Sequence, residues 1–115
     1  MHKMADILES KNHVESITNI KPMIGIILGS GLGSFTDTLE GAVHILYSNI
    51  PHFAKSEAVG HSNELVIGSI GGKNVVVMKG RFHYYEGFTL DQVTFPVRLM
   101  KALGVNSSSP MPVVL

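Results

Sequence analysis

Residues Met23–Leu28 read MIGIIL, an unbroken apolar run bounded by Pro22 and Gly29. A run this short, branched in its side chains and punctuated at both ends, reads as a strand buried on both faces rather than as a helix. It passes directly into Gly29-Ser30-Gly31-Leu32-Gly33-Ser34. Such a turn gathers several backbone N–H groups into one bend, where they can hold an anion, and the Ser30 hydroxyl adds a donor. The same turn also serves as a bare strand-to-helix connection, so by itself it leaves ligand binding open.

The familiar nucleotide motifs do not fit. A dinucleotide fingerprint needs glycine where Ser34 stands and an acid about 20 residues further on, a region that here runs Ser48-Asn49-Ile50-Pro51. A P-loop ends in G-K-[ST], and this turn has no lysine.

The rest of the chain fills in an α/β pattern. Residues 2–18 form a loosely amphipathic helix, with Ile7, Leu8, Val14 and Ile17 as its apolar side, stopped at Lys21-Pro22. Phe35–Leu39 reads as a helical turn and Val43–Tyr47 as a second strand closed by Ile50-Pro51. The polar stretch 52–62 reads as a loop. Glu64–Ile70 and Asn74–Met78 are strands joined across Gly71-Gly72, a hairpin signal. Thr89 and Gln92 have the spacing of a capping box for a helix over Thr89–Leu103, with Pro96 inside it and Gly104 as its stop. The order implies an α/β fold with a mixed central sheet flanked by helices, as a single domain over residues 1–115.

Composition narrows the function. The chain has 115 residues, 44% of them apolar and 16% charged, enough for one modest core. Basic and acidic residues number 9 each, so the net charge is zero, which speaks against a nucleic-acid binder driven by bulk electrostatics. A small anion needs only a few local donors. With no cysteine there is no disulfide scaffold, thiolate metal site or cysteine nucleophile. The histidines at 2, 13, 44, 52, 61 and 83 show no ligand spacing, so no metal is expected. No apolar run is long enough to span a membrane, and the first residues lack the apolar core of a signal peptide. A cytoplasmic protein is expected.

A second constellation lies at Arg81-Phe82-His83-Tyr84-Tyr85-Glu86. In extended backbone Arg81, His83 and Tyr85 would share one side. A guanidinium fork suits phosphate, and imidazole can donate to an oxyanion when a carboxylate such as Glu86 sets its tautomer. A polar strand end with a surface Arg–Glu pair fits the same residues. His61, after Gly60 in the polar loop, reads equally as a solvated histidine.

Taken together, the glycine-turn run, Ile50-Pro51-His52-Phe53, Val59-Gly60-His61, Lys79-Gly-Arg-Phe-His-Tyr-Tyr-Glu-Gly87 and Val93-Thr-Phe-Pro-Val-Arg98 resemble, in this order, the trimeric purine nucleoside phosphorylases. The resemblance covers Ile20–Val105. It implies a phosphorylase/hydrolase-like sheet, incomplete in this chain, and phosphorolysis of purine (2′-deoxy)ribonucleosides to purine base and (deoxy)ribose 1-phosphate. By the family pattern Ser30, His61, Arg81 and His83 bind phosphate, Tyr85 contacts the ribose, and Glu86 supports His83 in catalysis. Phosphate is a co-substrate, and neither a metal nor an organic cofactor is implied. A homotrimer acting in purine salvage is implied for a complete protein. The related methylthioadenosine phosphorylases share the reaction, and an inactive phosphate-binding or structural fragment is the third reading.

The chain departs from the family after Val105. Members continue into another apolar strand and a T-N-A-A-G-G turn, and their purine-recognising Glu and Asn come later still. Here the tail 106–115 begins Asn106-Ser107-Ser108-Ser109-Pro110. The expectation is an N-terminal portion, truncated or with an aberrant tail. Strands 23–28 and 74–78 should then lack neighbours and expose their edges.

Overall fold

The computed structural model describes residues 4–28, 33–53, 63–79, 89–104 and 113–114. Helix α1 (Met4–Ile17) leads to β1 (Ile24–Leu28), a 3-10 turn (Gly33–Thr38), β2 (Glu40–Leu46) and a second short 3-10 turn (Tyr47–Asn49). Then come β3 (Glu64–Ile70), β4 (Lys73–Lys79), α2 (Leu90–Leu103) and the short β5 (Val113–Val114). The sheet order is β2-β3-β4-β1-β5. β2, β3 and β4 form an antiparallel meander, whereas β1 runs parallel to both of its neighbours. The expected mixed α/β sheet is therefore present. Among the described residues no helix is long and apolar enough to cross a membrane.

The alternation of side chains along the strands builds two cores. Ile45, Leu65, Ile67, Val76 and Met78 pack on one face with Ile7 and Val14 of α1 and Phe95, Leu99, Met100 and Leu103 of α2. Ile26, Leu28, Val66, Val75 and Val77 form the other face with Leu39, and Phe35 packs against them. Central strands buried on both sides explain why β1 and β4 read as continuous apolar runs.

The hairpin turn is where glycine is required. Gly71 and Gly72 both have positive φ, 58° and 78°, the pairing that a two-residue turn with the twist of its strands demands. Gly68 has a different task. A Cβ there would stand 3.1 Å from Glu40 O and 3.1 Å from Leu39 Cβ, so its absence lets the start of β2 cross closely over β3.

That close crossing corrects the boundaries of β2. The strand begins at Glu40 rather than Val43, and its register slips between Glu40 and Val43. Tyr47 belongs to the following 3-10 turn. The inward face of α1 also differs from expectation. Ile7 and Val14 are buried, but Leu8 and Ile17 are each 45% exposed. Ser10 lies between them on the inner face, fully buried, because its hydroxyl donates to the Pro51 carbonyl. The stretch 52–62, expected to be a polar loop, has a core residue at its second position, since Phe53 packs edge-on against both Tyr47 and Phe95.

The expectation of missing neighbours is also revised. β4 is paired on both sides, with β3 and with β1. β1 receives a second neighbour from the tail, where Val113 and Val114 lie beside Ile26 and Ile27. Ile24 and Leu28 lie outside that short ladder.

Placing Cβ atoms in the left-handed hairpin should cost about 1–2 kcal/mol per site. Gly71→Ala combined with Gly72→Ala is expected to lower the urea midpoint accordingly. An unchanged midpoint would contradict the turn geometry.

Candidate functional site

Parallel pairing decides where the motif segments attach. Leu28 is the Cα partner of Lys79, so β1 and β4 end side by side. Glu64 is also a partner of Lys79, and Leu46 is the partner of Glu64. The last residues of β1, β2 and β4 and the first of β3 therefore share one end of the sheet.

Each candidate segment joins the chain at that end. Ser30 follows Leu28 by two residues, Arg81 follows Lys79 by two, and His61 precedes Glu64 by three. His83, Tyr85 and Glu86 lie between β4 and α2. All six residues, Ser30, His61, Arg81, His83, Tyr85 and Glu86, fall outside the described residues. What the structure describes is their anchor points.

The connections also part at this end. The chain leaving β1 returns as the 3-10 turn whose Phe35 packs on one face of the sheet. The chain leaving β4 returns as α2 on the opposite face. Adjacent parallel strands whose connections diverge to opposite faces open a crevice beyond their carboxyl ends, the usual ligand position in open α/β sheets.

Three titratable side chains line up across this end, a row that no sequence motif announces. Glu64 Oε1 lies 3.6 Å from Lys79 Nζ and 3.1 Å from His44 Nδ1. His44, Glu64 and Lys79 come from β2, β3 and β4, so only strand register brings them together. Nearby Tyr47 is held protonated well above the usual phenol range, by burial first and by the Glu64 charge second.

A second group forms on α1. His52 Nε2 stands 3.2 Å from Glu9 Oε2 and 3.7 Å from Asp6 Oδ1, and the donor atoms of all three lie within 4.8 Å of one another. Histidine spacing alone could not reveal it, because the two carboxylates come from one helical turn. Together with the Ser10–Pro51 hydrogen bond, these contacts fasten residues 51–52 to α1.

The segment that carries Arg81, His83 and Glu86 runs into α2 through a firm cap. Thr89 Oγ1 accepts from Gln92 N at 3.1 Å, and Gln92 Oε1 accepts from Thr89 N at 2.9 Å. The expected capping box is therefore formed.

The fold and motif order have clear relatives. A sequence profile described as the phosphorylase superfamily matches residues 23–107. The chain belongs to that superfamily. Purine nucleoside phosphorylase 1 of Geobacillus stearothermophilus is 61% identical over 84 residues, which cover 73% of this chain and 31% of the relative. Purine nucleoside phosphorylase 1 of Bacillus subtilis (strain 168) is 52% identical over 86 residues, covering 75% and 32%. The crystal structure of isoform 2 of the Schistosoma mansoni purine nucleoside phosphorylase, in complex with cytosine and ribose-1-phosphate, matches with a TM-score of 0.85. It is 41% identical, and the match covers 90% of this chain and 36% of that one. This chain thus spans about a third of the length of these relatives.

Thr89→Ala removes one side of the capping box and should destabilise α2 by about 1 kcal/mol. Thr89→Ser should keep most of that stability. Equal melting temperatures for the alanine variant and the wild type would show that the cap is dispensable.

Proposed function

We propose that this sequence encodes part of a purine nucleoside phosphorylase, and that Ser30, His61, Arg81 and His83 converge on one phosphate. The observation that carries the reading is the shared rung of Leu28 and Lys79 in parallel register. It starts the Ser30 and Arg81 segments from neighbouring strands beside a diverging connection. The names of the relatives favour this over the methylthioadenosine enzyme.

In the proposed reaction a phosphate oxygen forms a bond to C1′ of the nucleoside as the C1′–base bond breaks. The base leaves with the bonding electron pair and takes up a proton. The sugar gains oxocarbenium character on the way, which the neighbouring phosphate charge stabilises. Arg81 and Ser30 hold the oxyanion, so that attack becomes nearly unimolecular. His83, oriented by Glu86, donates to the same anion, and Tyr85 contacts the ribose. Phosphate serves as co-substrate, with no metal or organic cofactor. The same reading makes the complete protein a cytoplasmic homotrimer of purine salvage, supported by the family resemblance. The family's base-contacting Glu and Asn lie beyond the matched third. For the 115-residue chain by itself the reading is therefore phosphate binding.

Inorganic phosphate titrated calorimetrically into the chain should give a saturable isotherm. Arg81→Ala should weaken it by about tenfold or more, the scale of a charged hydrogen-bonding pair. Equal binding by both would remove Arg81 from the site. In the complete enzyme, inosine cleavage that runs equally fast without phosphate would make the protein a hydrolase instead.

A further inference from the structure

The rung that closes β3 and β4 carries a charge pair that the reaction above leaves unused. Glu64 and Lys79 are register partners, and the Glu64 side chain is only 15% exposed, against 36% for Lys79 and 45% for His44. A carboxylate withdrawn that far from water needs compensating partners. It has two here, one on each neighbouring strand. Immediately beyond this rung the chain enters Gly80-Arg81 on one strand, and it arrives from His61-Ser62-Asn63 on the other.

We infer that Glu64 and Lys79 are positioning residues for the oxyanion site, their ion pair, braced by His44, fixing the strand ends from which the Arg81 and His61 segments extend. The inference rests on the phosphate-binding reading. The pair acts through the backbone that bears Arg81 and His61. It also has an electrostatic task. Lys79 neutralises Glu64, so that a carboxylate at the same sheet end does not repel the incoming phosphate. Removing Lys79 therefore does two kinds of damage, because it frees a strand end and exposes an uncompensated negative charge. Removing the Glu64 charge frees the strand end but leaves a cation.

The asymmetry separates this role from plain structural support. Inorganic phosphate is titrated calorimetrically into the 115-residue chain and its variants, each followed by a thermal melt. Lys79→Met should raise the phosphate Kd about two- to fivefold, the scale of a partly exposed ion pair. Glu64→Gln should raise it less, and Lys79→Arg should restore near wild-type binding. Lys73→Met, at the exposed far end of β4 opposite Ile70, should leave it unchanged. Wild-type binding that is unaltered by Lys79→Met and Glu64→Gln overturns the positioning role and spares the phosphate site. An equal loss in Lys73→Met also overturns it. Absence of binding by the wild type overturns the phosphate reading, and the inference with it. If Lys79→Met does not fold, the near-isosteric Glu64→Gln decides, and wild-type affinity in that variant rejects the pair.

Discussion

Parallel backbone pairing between β1 and β4 is the constraint on which the rest of the molecule turns. A parallel ladder forms stably only where both faces of the sheet are covered, and the two strands supply apolar side chains to both. Ile26, Leu28, Val75 and Val77 serve one core, and Val76 and Met78 serve the other. Given that pairing, the carboxyl ends of β1 and β4 must lie together. Had the strands been antiparallel, the Ser30 and Arg81 segments would leave from opposite ends of the sheet, and no common anion site could form. The proposed chemistry thus depends on strand direction, and burial on both faces is what lets the parallel ladder stand.

Local physics explains which parts of this were legible in the sequence. The Gly71-Gly72 hairpin and the Thr89–Gln92 box are complete within a few residues, so their signals survive without tertiary information. β1 and β4 were legible because burial on both faces leaves an unbroken apolar run. The start of β2 was not, because Glu40 joins the strand only by virtue of a close approach at Gly68, far along the chain. The inner face of α1 was misjudged for a similar reason. Ser10 is a poor core residue until the Pro51 carbonyl is supplied to it, and that partner is 41 residues away. Val113 and Val114 are too short a run to announce a strand, and their place beside β1 is set by an existing edge.

The candidate site divides along the same line. Ser30, His61, Arg81, His83, Tyr85 and Glu86 were named through the family resemblance. Residue chemistry alone left the glycine turn and the Arg–Glu cluster open between ligand binding and bland surface. The structure contributes the shared sheet end from which their segments run. The row of His44, Glu64 and Lys79 is the reverse case. No motif announces it, since its members are 15 to 35 residues apart and meet only when three strands adopt one register.

A chain of zero net charge can still serve an anion, because screening in physiological salt confines surface fields to about 8 Å. What matters is the charge within that distance of the anion. A half-buried carboxylate at the same sheet end looks at first like a fault in such a site. Two donors on flanking strands, His44 and Lys79, turn it into a compensated strut. The strut also accounts for Lys79 standing at the last rung, directly after the apolar run Val75–Met78. An apolar residue there would extend the core but leave Glu64 without its nearest full charge. On this view the end of the sheet is built from two separable layers: a hydrophobic ladder buried on both faces, and a compensated charge pair that fixes where the ladder stops.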